Sequence, residues 1–405
     1  MQSANAGNVF AALDQAPPDA ILGITEQFKA DPNPRKVNLG VGVYQDADGK
    51  LPLLACVDSA QRQIAERGAA KGYLPIDGIP DYASAVRALI FGTDSQLLAD
   101  GRVVTCQALG GTGALKLGAD LLHFANPTAR VLISDPSWEN HQALFTRAGF
   151  AVSTYRYYDA ENRGVDFAGM LADLQVAEPG TIIILHACCH NPTGYDLTDE
   201  QWQQVLDVVE QGQLVAFIDM AYQGFSQDLH ADSRVVRMFA QRLPNVLISS
   251  SFSKSMSLYG ERVGALSVVC ADADEAVRLR SQLKIVIRTN FSNPPTHGAL
   301  LAASVLNDPA LHAQWVEELG EMRDRIKQMR GLLLAGLEAA GAQGFGHIVQ
   351  QVGMFSYSGL SREQMQTLRT DFGIYGTDKG RICLAALNQG NVDYVAQAIA
   401  QVARA

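Results

Sequence analysis

Cysteine is sparse, with six residues scattered through 405. So few thiols cannot staple a chain of this length, and they read as reduced residues of a cytoplasmic protein rather than a disulfide framework. Long apolar runs are missing as well. No stretch approaches the roughly 20 residues needed to span a bilayer, which excludes a membrane protein. Blocks of lysine and arginine are absent and the net charge is −10, which excludes a nucleic-acid surface. Any anionic ligand must therefore be held by individual arginines. Met1 to Ala20 has neither a basic leader nor an apolar core, and so reads as no secretory signal. There is no internal repeat and no low-complexity linker. With 47% apolar and 18% charged residues the composition is that of a globular protein, and the length predicts two domains.

Between about residues 100 and 270, short β-branched runs alternate with segments of helical period. The runs are Arg102–Thr105, Arg130–Ile133, Thr181–Leu185, Leu214–Ile218, Val246–Ile248 and Ala265–Val269. Near-continuous apolar runs of this length read as strands covered on both faces, hence a mostly parallel α/β sheet with helical crossovers. In such sheets ligands gather at the carboxyl ends of the strands. From His297 to about Ala340 the pattern is helical again and bridges to a smaller α/β unit, against which the N-terminal forty-odd residues pack.

The punctuation after these runs carries the chemistry. Val246-Leu247-Ile248 delivers Lys254 through a bed of serines, Ser249 to Ser253, and Arg262 follows between Gly260 and Gly264. A lysine at the mouth of a buried strand is poorly solvated, which favours the neutral, nucleophilic amine. Arg262 offers a planar fork for a phosphate. A nucleophilic lysine beside a phosphate fork is what a Schiff-base site for pyridoxal phosphate requires, although an isolated strand-end lysine can also simply snorkel to water.

Other strand ends fit the same chemistry. Gly110-Gly111-Thr112-Gly113 leads into a helix, where backbone amides and the helix dipole favour an anion. It lacks the Gly-Lys-Ser/Thr ending of a P-loop and does not complete the GxGxxG spacing. Asp219 closes the Leu214–Ile218 run and can cap a helix, bind a metal or pair with a protonated pyridine nitrogen. Ala221 is small enough to lie against a ring, and Tyr222 can donate to a phenolate oxygen. His186-Ala187-Cys188-Cys189-His190 invites a zinc reading, but adjacent cysteines on an extended segment point to opposite faces, so no metal is expected. Asn191-Pro192-Thr193-Gly194 is a turn that presents the Asn191 amide. Trp138 is either an interior aromatic or a plate over a flat ligand, and His141 is either structural or a support for Asp219.

Taken in this order, and with Asn38 to Tyr44, Tyr73-Leu74-Pro75, Arg288 to Ser292 and Gly380-Arg381, these motifs resemble the class I aminotransferases of fold type I, the bacterial aspartate and aromatic-amino-acid enzymes among them. The resemblance runs from about Phe10 to Val402. It implies a large domain, 46–320, around a mostly parallel seven-stranded sheet, and a discontinuous small domain from 1–45 and 321–405. It implies pyridoxal 5′-phosphate, with Lys254 as Schiff-base lysine and proton carrier. Asp219 would meet the pyridine nitrogen, Tyr222 and Asn191 the phenolic oxygen, and Trp138 and Ala221 the ring faces. Gly111, Thr112, Ser251 and Arg262 would hold the phosphate. Arg381, aided by the Gly42 backbone, would grip the substrate α-carboxylate. Tyr73 (to the phosphate) and Arg288 (to a distal carboxylate) would come from the second subunit of a homodimer with shared sites.

Substrate signals are mixed. Gln45, Leu51, Gly72 and the longer matches Ser134–His141, Leu258–Arg262 and Gly353–Tyr357 lean towards the aromatic enzymes, whereas Val43, Thr112 and Asn293 look aspartate-like. The expected activity is ping-pong transamination of tyrosine and phenylalanine, and also aspartate, with 2-oxoglutarate. The alternative is a strict aspartate aminotransferase. A decarboxylase, β-lyase or synthase on the same fold would have little purpose for Arg288, and a cofactor-sensing regulator would need a DNA-binding domain for which the short N-terminus leaves no space.

Overall fold

The structure, a computed structural model, describes residues 8–10, 13–16 and 22–404. Most of the segment read as no secretory signal lies outside the described residues.

Seven strands build the central sheet: β1 Val103–Leu109, β2 Arg130–Asp135, β3 Ala151–Arg156, β4 Ile182–His186, β5 Val215–Met220, β6 Val246–Ser251 and β7 Val263–Val269. Their spatial order is β1-β7-β6-β5-β4-β2-β3. All neighbours are parallel except β7, which is antiparallel to both β1 and β6. Six strands match the apolar runs of the sequence. The seventh, β3, is one of the two edge strands. Its sequence Ala-Val-Ser-Thr-Tyr-Arg is mostly solvent-facing, so it carries no apolar run to betray it.

Helices cover both faces. The helix Gly110–Ala125 packs its small residues onto the sheet, and a Cβ added at Gly118 would lie 2.5 Å from two ring atoms of the fully buried Phe217. Gly118→Ala gains up to about 1 kcal/mol of helix propensity but overpacks the core by roughly 1–3 kcal/mol. A net loss of up to about 2 kcal/mol is expected, read as a lower denaturation midpoint at unchanged slope.

The segment expected to be helical from His297 is two helices, His297–Asn307 and the 31-residue Pro309–Ala339. Asp308 separates them and accepts from the amides of Ala310 and Leu311, and Pro309 occupies the first turn of the second helix, where it needs no donor. That helix runs unbroken past residue 320. Three two-stranded sheets accompany the central one: Val37–Asn38 beside Ile374–Tyr375 in parallel, and Phe355–Tyr357 against Arg381–Cys383 and Tyr158–Asp159 against Gly164–Val165 in antiparallel pairing. Among the described residues no helix is long and apolar enough to cross a membrane. All six cysteines are free and buried.

Candidate active site

The parallel strands deliver their carboxyl ends to one edge of the sheet, and β7, running the other way, starts from that edge. Loops after five strands and before the sixth therefore converge on one cavity of about 220 Å³.

Asp219 is the penultimate residue of β5, in register with His186 on β4 and Ser249 on β6. Its Oδ2 lies 3.1 Å from His141 Nε2, and His141 Nδ1 lies 2.9 Å from Ser137 Oγ. Its Oδ1 is buried without a protein partner. Burial alone would raise the carboxyl, but the His141 hydrogen bond and the charges of His141 and Lys254 outweigh it and hold Asp219 below the usual carboxylate range. The result is an ionised carboxylate with one oxygen on His141 and the other free to meet a further cation. Burial pushes His186, edge-on to His141 at 5.1 Å, down to about 3, so its imidazole is neutral.

Lys254 follows β6 by three residues. Its Nζ stands 4.9 Å from the centre of the Tyr222 ring. Burial pushes the amine down to about 8; Arg262 and Arg381 act in the same direction while Asp219 opposes them. Its loop is pinned at both ends: the Trp315 indole donates to the Ser255 carbonyl at 2.7 Å, and Phe252 packs edge-on against Tyr82. Burial also raises the Tyr222 phenol, which stays protonated.

At the other side of the cavity β1 turns into the helix Gly110–Ala125. Gly110 has φ +68°, and a Cβ there would come 2.6 Å from an Arg262 nitrogen. The chain thus needs glycine twice over, for the left-handed backbone and for the guanidinium lying on it. Ser249 Oγ donates to the Gly111 carbonyl at 3.1 Å, and a Cβ on Gly111 would sit 3.3 Å from Ser251 Cβ. Thr112, Ser251 and Arg262 line this end. Open helix amides, hydroxyls and one arginine make an anion cradle.

Arg381 forms the third wall. It is 1% exposed, yet its Nη1 donates to Asn191 Oδ1 at 3.0 Å and its Nη2 to the Gly40 carbonyl at 2.8 Å, leaving Nε without a partner. Its guanidinium lies 4.4 Å over the Phe355 ring, and Glu139 Oε2 stands 3.8 Å away. Gly42 is required by the same ring, because a Cβ there would fall 2.6 Å from Phe355 Cζ. Trp138 and Ala221 also line the cavity.

The structure thus gathers Gly42, Gly111, Thr112, Trp138, Asn191, Asp219, Tyr222, Ser251, Lys254, Arg262 and Arg381 around one cavity. It does not bring Tyr73 or Arg288 there. Tyr73 is 96% exposed, and Arg288, also exposed, donates to Ser292 of its own chain. Sequence reasoning gave no part to Tyr259, Phe355 or Trp315. Tyr259 Oη accepts the Tyr44 amide at 2.9 Å, a contact across 215 residues that no local pattern signals. The histidines weighed as zinc ligands instead stack: His190 lies 3.9 Å from Tyr157 and 4.2 Å from His186. Among the described residues no group of three or more potential ligands could hold a metal.

A carboxylate with one free oxygen, an amine of lowered basicity, an anion cradle and a partly unsatisfied arginine fit a flat cationic ring carrying a phosphate, with a carboxylate-bearing substrate beside it. The comparisons agree. Residues 34–399 match the family model described as aminotransferase class I and II. Aspartate aminotransferase of Pseudomonas aeruginosa is 56% identical over 98% of this chain and all of that one. Aromatic-amino-acid aminotransferase of Escherichia coli is 46% identical over 97% and 100%. The crystal structure of the aromatic-amino-acid aminotransferase of Burkholderia pseudomallei, covalently bound to pyridoxal phosphate, superposes with TM-score 0.95 at 60% identity, covering 97% of this chain and 99% of that one. The chain belongs to the class I and II aminotransferases. It is a transferase of fold type I, and its substrates are amino acids and 2-oxo acids.

Proposed function

We propose that this chain is a pyridoxal 5′-phosphate-dependent transaminase of tyrosine and phenylalanine that also takes aspartate, with 2-oxoglutarate as amino acceptor. One observation carries the reading: the depressed amine of Lys254 and the partnerless Asp219 oxygen face one cavity whose far wall is Arg381. When bound, pyridoxal 5′-phosphate supplies an aldehyde that takes up and returns amino groups and a ring that draws electrons from the substrate α-carbon.

The chain's residues divide the remaining work. Gly111, Thr112, Ser251 and Arg262 hold the phosphate. Asp219, fixed by His141, keeps the ring nitrogen protonated. Tyr222 and Asn191 meet the phenolic oxygen, and Trp138 and Ala221 hold the ring faces. Arg381, with the Gly42 backbone, orients the α-carboxylate. Lys254 Nζ would link covalently to the cofactor's aldehyde carbon with loss of water and, once freed by the amino donor, would carry the proton from the substrate α-carbon to that same cofactor carbon. A neutral amine is needed for this, and burial, by pushing the amine down to about 8, brings that form within reach near neutral pH.

Capture of the cofactor should follow that amine. The protein freed of cofactor is expected to take it up about tenfold faster per pH unit up to about pH 8 and to level off above, as the amine loses its proton. Stopped-flow absorbance across pH 6–10 measures it, and a flat profile would remove the depressed lysine from the account.

Two residues point outward. The exposure of Tyr73 and Arg288 supports a homodimer in which each copy lends them to its neighbour's site. We assign the protein to the cytoplasm from its free thiols, and divide it into 46–320 and 1–45 with 321–405. A strict aspartate aminotransferase is the second reading, favoured by the 56% identical relative of that name. Steady-state comparison of phenylalanine, tyrosine and aspartate with 2-oxoglutarate separates the two. Aspartate preferred by more than about 3 kcal/mol in kcat/KM, roughly two decades, would select the second.

A further inference from the structure

The helix Pro309–Ala339 buries a cation that the chemistry above does not use. Arg330 is 3% exposed and has no carboxylate partner among the described residues. Its fork instead donates to three backbone carbonyls: Ile348 at 2.9 Å, Gly353 at 2.7 Å and Phe355 at 2.6 Å. A buried guanidinium without a counter-ion is expensive, and charge-assisted bonds to three carbonyls are what offset it. Burial pushes it down to about 10, so it remains charged near neutral pH. Ile348 lies in the 3-10 turn Gly346–Val349, Gly353 in the loop that follows it, and Phe355 opens the short strand Phe355–Tyr357.

The Phe355 ring is where the consequence falls. It lies beneath the Arg381 guanidinium at 4.4 Å, edge-on to Tyr222 at 6.0 Å, and against Gly42. Its strand pairs with that of Arg381, Tyr357 opposite Arg381 and Phe355 opposite Cys383. Arg330 thus fixes the backbone from which this platform projects.

We propose that Arg330 is a positioning residue for the substrate-carboxylate site: its fork locks the Gly353 and Phe355 carbonyls, which sets the Phe355 ring and through it the Arg381 guanidinium. The idea rests on Arg381 being the α-carboxylate binder. A lysine would keep the charge but lose the fixed fork, so the two are not interchangeable here. The phosphate cradle stands on other elements, and Arg330 has no contact with it.

The test uses the cofactor-loaded protein and R330K. KM for both amino acid and oxo acid should rise about tenfold with kcat held within about threefold, the pattern of lost uniform binding. The dissociation constant of indole-3-propionate, a carboxylate with no amino group to transfer, should rise in parallel. Cofactor affinity should not move. Arg330→Met should show a larger effect of the same kind; if it fails to fold, R330K decides alone. In a double-mutant cycle, R330K and Phe355→Leu should be less than additive, because both loosen one platform. Unchanged carboxylate affinity in R330K, equal weakening of carboxylate and cofactor, or strict additivity overturns the proposal. Arg381→Lys serves as control: if it weakens carboxylate binding and R330K does not, the inference alone fails, and if neither does, the assignment of Arg381 fails first.

Discussion

Lys254→Ala is expected to bind pyridoxal 5′-phosphate without a covalent link and to lose transamination almost entirely. The variant removes both a nucleophile and a proton carrier at one atom. Proton transfer by a placed group is worth about 10²–10⁴-fold by itself, and loss of covalent exchange adds to it, so kcat should fall by at least about 10⁴-fold. The fold should survive. The side chain contributes a poorly solvated amine, while its loop is held by the Trp315 and Phe252 contacts, which the substitution leaves in place. Single-turnover kinetics and the absorbance spectrum of the loaded variant measure the outcome. Near-normal turnover would refute the assignment of Lys254.

The second large effect is expected at Asp219. Asp219→Asn keeps the size of the side chain and leaves an oxygen or amide for His141 Nε2, 3.1 Å away in the parent. What it removes is the negative charge facing the ring nitrogen. Breaking a buried charge pair costs about 3–5 kcal/mol, and each 1.36 kcal/mol is tenfold in rate, so kcat should drop by about 10²–10³-fold or more. The charge also raises the Lys254 amine. Without it, the pH at which cofactor capture levels off should move below about 8. A kcat within tenfold of the parent would place the ring nitrogen elsewhere, and an unmoved plateau would show that Asp219 does not act on the Lys254 amine.

Why so much of this site could be read from the chain follows from the sheet. Buried parallel strands must be apolar on both faces, and each ends where a polar residue faces the cleft. Asp219, Asn191 and Lys254 are therefore legible as interruptions of apolar runs, and Gly110-Gly111 as the glycines of a strand-to-helix corner. The remainder was hidden for physical reasons. The edge strand Ala151–Arg156 has little to bury, and the long helix starting at Pro309 merges in period with its predecessor. Phe355, Tyr259 and Trp315 look like ordinary core aromatics, since their contacts join segments far apart in the chain. Tyr73 and Arg288 stand apart because they lie outside the cavity of their own chain, and sequence alone has no term for that.

Borohydride reduction of the cofactor-loaded protein, followed by peptide mapping, tests the central claim most directly. A reduced pyridoxyl label confined to Lys254, and absent from Lys254→Ala, is the predicted result. A protein that stays colourless with pyridoxal 5′-phosphate and takes up no label, or one that carries the label on a different lysine, would contradict it.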